Sequence, residues 1–132
     1  SSQVIYLGRQ DSNAAQELYA VNLTGIVRVK LHLSPVTGGQ ITDYVITSDS
    51  SKVFYLGDQD VAGTAEIYSV GVNGASRVRI SPTLGGGRTV DKIFLLPNQT
   101  KLIYRSNQDD GSRFDWFSLN PGGGAPTKIY AP

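Results

Sequence analysis

The chain repeats itself every 49 residues, and this spacing restricts the fold more than any other property of the sequence. Tyr6, Tyr55 and Tyr104 stand at that interval, as do Gln10, Gln59 and Gln108, and Gly25, Gly74 and Gly123. Residues 1–31 align with 50–80 without a gap, sharing Val4/Val53, Gly8/Gly57, Asp11/Asp60, Glu17/Glu66, Tyr19/Tyr68 and Arg28/Arg77. The third copy keeps Tyr104, Gln108, Asp109 and Gly123. It carries Asp115 for the Glu and Trp116-Phe117 where the others have Leu18-Tyr19 and Ile67-Tyr68. A period of about 40 to 50 residues with four strands per unit marks radially arranged four-stranded sheets, whereas helical solenoids show a 3.6-residue pattern. No such helical pattern is present.

Within the middle copy four strand-like segments follow one another: KVFYLGDQD, EIYSVGVNG, RVRISP and VDKIFLLPN. Strands of a unit are labelled A to D from axis to rim. B (Val53–Gly57) and A (Val90–Leu96) are nearly continuous apolar runs, the mark of strands buried on both faces. A two-sheet sandwich would instead show alternation, which counts against that architecture. D alternates, as in Arg28-Val29-Lys30-Leu31-His32-Leu33 and Arg77-Val78-Arg79-Ile80, which suits a rim strand with charges outward. Asn73-Gly74 predicts a tight type I′ hairpin turn between C and D, and Asn120-Pro121-Gly122-Gly123-Gly124 a looser one. The expected fold is all-β: propeller blades at about 1–35, 40–82 and 89–132 in a single segment, 1–132, with eleven strands and the first blade lacking its inner strand. Three blades do not close a ring, since propellers have about four to eight. The chain is therefore expected either to self-associate, two copies giving six blades, or to be completed by further sequence.

Composition narrows the partners. Lys and Arg total 12 against 11 acidic residues, a net charge of +1, which gives no electrostatic case for nucleic acid or an anionic membrane surface. Apolar runs such as Ile93-Phe94-Leu95-Leu96 are too short for a membrane-inserted helix. With no Cys in the chain, disulfides and thiolate metal sites are excluded. No signal peptide is visible, and the chain begins mid-repeat, as a processed or excised piece would.

The stretches KVFYLGDQD…AEIYSVGVNGASRVRIS and KLIYRSNQDDGSRFDWFSLNPGGGAPTKI resemble TolB-like (PD40-type) β-propeller repeats. They depart at the A–B turn, where Ser48-Asp49-Ser50-Ser51 and Pro97-Asn98-Gln99-Thr100 replace the family's Ser-Pro-Asp-Gly. The resemblance implies a non-enzymatic scaffold of a bacterial secreted, periplasmic or cell-surface protein that binds a protein or glycan. The alternative is the propeller portion of a prolyl-oligopeptidase-like hydrolase, gating a catalytic domain absent from this chain. No G-x-S-x-G elbow or other nucleophile–base set is present, so this chain is read as no enzyme.

Candidate ligand residues lie on the face where the B–C and D–A loops of a propeller open: Arg9, Asp11, Asp58, Asp60, Arg88, Asn107 and Asp109. The Gly85-Gly86-Gly87 stretch leads into a strand, so it offers no helix N-terminus for a phosphate. Asp58, Asp60 and Glu66 flank Gly63 and are the hard oxygen donors a Ca²⁺ loop uses, but they supply too few ligands alone; Ca²⁺ is the one cofactor considered. The competing reading is that these acids brace the loop through backbone amides. Glu17, Glu66 and Asp115 are expected to pair with basic residues across blades. His32, the single His, is expected on the exposed rim, and Trp116 with Phe117 as a pair packed between blades.

Overall fold

A computed structural model describes residues 3–9, 15–24, 28–32 and 38–129. Among them are eleven strands and no helix. β1 (Gln3–Gly8), β2 (Glu17–Asn22) and β3 (Arg28–Lys30) form the first sheet. β4 (Ile41–Ile46), β5 (Lys52–Val61), β6 (Thr64–Gly71) and β7 (Val78–Arg79) form the second. β8 (Val90–Leu95), β9 (Leu102–Ser106), β10 (Asp115–Leu119) and β11 (Thr127–Ile129) form the third. Every sheet is an antiparallel meander in chain order.

The 49-residue period reappears as register. Tyr6 lies opposite Tyr19, Tyr55 opposite Tyr68 and Tyr104 opposite Phe117. Each pair stacks, with ring centroids 5.5, 5.0 and 5.2 Å apart. Successive residues of a strand face opposite sides of its sheet, so β5 supplies two cores at once. Val53 and Tyr55 join Leu18, Ala20, Leu31 and Ile41 in a seam against the first sheet. Phe54 and Leu56 join Ile93, Leu102, Tyr104 and Phe117 in a seam against the third. Burial of such side chains contributes about 1.5–3 kcal/mol each. The continuous apolar run of the middle copy is thus explained by burial on both faces.

Polar bonds lock the first seam. The Tyr44 hydroxyl donates to the Ile5 carbonyl (3.0 Å), Arg77 Nε to the Leu31 carbonyl (2.9 Å), and the Ile41 amide to the Gln16 carbonyl (2.8 Å). In the second, the Ala65 amide donates to Thr89 Oγ1 (2.9 Å) and the Ser48 amide to Gln99 Oε1 (3.0 Å). Gly57 lets the inner strand approach, since a Cβ there would lie 2.6 Å from Ile41 Cδ1 and 2.9 Å from the Gln40 carbonyl.

Several local expectations are corrected. β5 does not end at Gly57 but continues, through an irregular register, to Val61. The rim strands are short, so alternation in the sequence overstated their length. The C–D turn is not type I′, because Asn73 keeps a negative φ; Gly74 (+87°) and, two residues on, Ser76 (+59°) are the left-handed ones. Its amide donates to the Gly71 carbonyl, and the Gly71 amide to the Ala75 carbonyl, both at 2.8 Å. Gly123 repeats the first of these bonds on Asn120. Trp116 and Phe117 do not pack as a pair: Phe117 enters the second seam, while Trp116 faces away and meets Phe94 at 5.9 Å. His32 is buried rather than exposed, edge-on to Tyr55 at 6.4 Å.

The A–B turns show why the sequence could depart from Ser-Pro-Asp-Gly. Asp49 accepts from the Thr47 hydroxyl, the Ser51 amide and the Ser51 hydroxyl. Those bonds, Thr47's first, hold its carboxyl down to about 2. Asn98 repeats the pattern on Thr100. Ser50 and Gln99 take the left-handed conformation that favours glycine, at φ +59° and +63°. An L residue in that region costs about 1–2 kcal/mol. Ser50→Gly should therefore raise stability by about 0.5–1 kcal/mol after the loss of unfolded-state restriction, read as a higher urea midpoint.

Candidate functional site

The loop end of the second and third sheets is built on one repeated bracket. Asp58 Oδ1 accepts the Gln40 amide (2.7 Å) and its Oδ2 the Gly63 amide (2.8 Å). Forty-nine residues on, Asn107 Oδ1 accepts the Thr89 amide (2.7 Å). Being an amide, Asn107 can also donate, and its Nδ2 bonds the carbonyls of Gly111 (2.7 Å) and Gly87 (3.1 Å). In both sheets the residue that follows the regularly paired part of the B strand is thereby tied to the residue just before the inner strand. Arg88 adds a third tie, donating to the Gln108 carbonyl while lying against Gly111, whose Cβ would be 3.2 Å from Arg88 Nε.

The other candidates are placed as follows. Arg9 is exposed just beyond β1. Asp11 lies outside the described residues. Asp60 accepts the Tyr68 hydroxyl (2.7 Å), and burial followed by that bond pushes the phenol pKa up. Asp109 meets Lys128 at 2.9 Å, and Lys128 also reaches Asp115 at 2.8 Å. The acids of Asp58, Asp60 and Glu66 are thus spent on separate partners. No group of three His, Cys, Asp or Glu side chains suited to a metal occurs among the described residues.

The acid at or near the start of each C strand pairs within its own sheet, not across blades. Glu17 meets Lys30 at 2.8 Å, Glu66 lies 3.8 Å from Arg79, and Asp115 meets Lys128. Lys30, Arg79 and Lys128 are themselves 49 apart, a signal present in the sequence but unused. Glu66 is 3% exposed, and burial raises its pKa against the opposing pull of the Leu84 amide and Arg79.

Sequence reasoning also missed the concavity between these elements. An open cleft of about 300 Å³ lies beside the inner strands, lined by Gln40, Thr42, Leu56, Asp58, Thr89 and Asp91, among others. Strands β4 and β8 both slip register here, between Ile41 and Asp43 and between Val90 and Lys92. The irregularities fall at Thr42 and Asp91, and bulges commonly re-aim side chains in this way. Gln40/Thr89 and Thr42/Asp91 obey the 49-residue spacing, but a bulge leaves no compositional trace.

With this geometry the chain was compared with known proteins. No protein-family model matches the sequence, and no curated protein matches it either. Solved structures do match. A structure assigned as TolB from Agrobacterium tumefaciens superposes with a TM-score of 0.68 at 16% identity, over 98% of this chain and 45% of that one. An oligogalacturonate lyase from Vibrio parahaemolyticus gives 0.67 at 15% identity, over 98% and 36%. The chain has the fold of TolB-like β-propeller blades. TolB from Acinetobacter baumannii agrees, with a TM-score of 0.66 and 13% identity over 96% of this chain and 29% of that one. The chain thus spans less than half the length of each of these structures, and at these identities the likeness is one of fold.

Two outcomes follow from the bracket and the buried acid. Asp58→Ala should cost about 1–3 kcal/mol, because the Gln40 amide loses its acceptor. Asp58→Asn should cost less, since the third blade uses Asn at the same place; urea melts of the two variants rank them. A raised carboxyl pKa favours folding while the group is protonated, so Glu66 should withdraw stability as pH rises from its ordinary 4.5 through the folded value. Glu66→Gln should flatten the stability profile above pH 4.5, read from melts at several pH values.

Proposed function

We propose that this TolB-like segment is a non-enzymatic scaffold that binds a partner, a protein before a glycan, through its B–C and D–A loop face. The observation that carries this reading is the repeated bracket. Asp58, Asn107 and Arg88 spend their hydrogen bonds on loop backbone, which gives the face a fixed shape and leaves little free for chemistry. Preorganised loops reduce the ordering cost of association. Around them are exposed groups suited to contact: Arg9 on the first blade, Val61 at the β5–β6 tip (55% exposed), and Asp109 on the third. The single His, a requirement of many nucleophile–base sets, is buried beside Glu17, with 3.7 Å between Nε2 and Oε2. A secreted, periplasmic or cell-surface setting fits such a scaffold.

A glycan is the second reading, favoured by the name of the oligogalacturonate lyase that shares the fold. The cleft beside Asp58 and Asp91, with its mixed polar and apolar walls, would be its place.

The test uses the wild-type chain and a variant carrying Arg9→Ala, Val61→Glu and Asp109→Ala, screened in parallel against a random-peptide library and a glycan array. Ligands that the wild type holds and the variant binds at least about tenfold more weakly, at unchanged melting temperature, are expected. Ligands held equally by both would place binding elsewhere. Wild-type hits confined to glycans would select the second reading.

A further inference from the structure

We propose that the outer face of the third blade docks against the outer face of the first blade of a second copy, closing a ring of two chains. This contact is independent of the loop-face reading. Ile5 and Leu7 turn into the first seam, so Val4 and Tyr6, with Tyr19 and Val21 opposite them, occupy the other side of the first sheet. One period on, the same positions are Val53, Tyr55, Tyr68 and Val70, all inside the first seam. Two periods on they are Leu102, Tyr104, Phe117 and Leu119, all inside the second. The outer side of the first blade therefore has the composition of a face that meets a preceding blade.

The third blade offers the complement. Its outward residues Phe94, Ile103, Trp116 and Ile129 stand one period beyond Val45, Phe54, Ile67 and Ile80, which close the second seam. Here Phe94 is 52% and Ile129 40% exposed, while Ile103 and Trp116 are half-buried. Each chain presents one face of each kind, so a second copy can supply what either lacks. The bonding can also repeat. Arg77 donates to the Leu31 carbonyl across the first seam. Shifted by the period, that bond would run from Arg28, now 5.1 Å above the Tyr19 ring, to the Ile129 carbonyl of the partner copy.

One departure fits the same contact. Leu7 and Leu56 are followed in the series by Arg105, paired with Asp91 and lying over the rings of Phe114 and Trp116. Leu56 lines the cleft with Val90 of the next blade's inner strand. Among the described residues the first sheet has three strands and no counterpart of that inner strand. Opposite it an ion pair can remain hydrated, while the apolar contact is confined to the middle of the sheets. A head-to-tail contact of this kind closes only if the rotation per copy fits.

The test is the molar mass of the full chain by light scattering on a sizing column over a tenfold range of concentration. Twice the 14.2 kDa of one chain is expected throughout. Val4→Arg and Phe94→Arg, each at an exposed position, should both reduce it to that of one chain at unchanged circular dichroism. Mixing the two variants should restore part of the dimer, because one seam of the pair stays intact. Leu23→Arg, on the exposed β2–β3 turn, should change nothing. A wild type that stays at the mass of one chain, one whose mass grows without levelling, or a dimer indifferent to both substitutions overturns the proposal.

Discussion

A sheet buried on both faces is the constraint on which this structure depends. β5 and β6 can hold alternate residues in two cores only because another sheet lies on either side of them. Each seam then needs bulk that fills the gap between twisted sheets without a polar group left bare. The stacked aromatic pairs provide it, each adding about 0.5–1.5 kcal/mol beyond area burial. Their hydroxyls are satisfied locally: Tyr55 donates to Gln59 and Tyr104 to Gln108, both at 2.9 Å. That accounts for the Tyr-x-x-x-Gln spacing as a packing device rather than a ligand signature.

The same repetition shapes the loop end of the sheets. Loops that emerge from a seam at fixed height can be tied to the next inner strand by one side chain, and Asp58 and Asn107 do this at equivalent positions. The charge difference between them matters less than their shared role as acceptors. Acid residues that look like a metal cluster in one dimension are distributed in space to an amide pair, a tyrosine and an arginine. Arg9, Val61 and Asp109 stay exposed around these braced loops.

Much of the fold was legible because a 49-residue period translates directly into a repeated sheet, and continuous apolar runs into strands with two buried faces. The sheet order and the aromatic register follow from that alone. What escaped was decided by direction rather than identity. Trp116 and Phe117 are adjacent in sequence and so point to opposite faces, which separates a pair that composition suggested. His32 sits in an alternating stretch, yet Glu17 and Tyr55 enclose it. The cleft depends on register slips beside Thr42 and Asp91, and these have no pattern in the residues themselves. Asn73-Gly74 reads as a type I′ turn, but only the glycine takes a positive φ.

The most direct test of the seam is a map of proton–proton contacts in solution from nuclear Overhauser spectra of the wild-type chain. The expected result is cross-peaks from the Tyr55 and Tyr68 rings to methyl groups of the first blade, among them Leu18, Ala20 and Leu31, and from Tyr104 and Phe117 to Leu56 and Ile67. Rings that meet only residues of their own sheet would contradict the account, because blades stacked face to face could not leave them so.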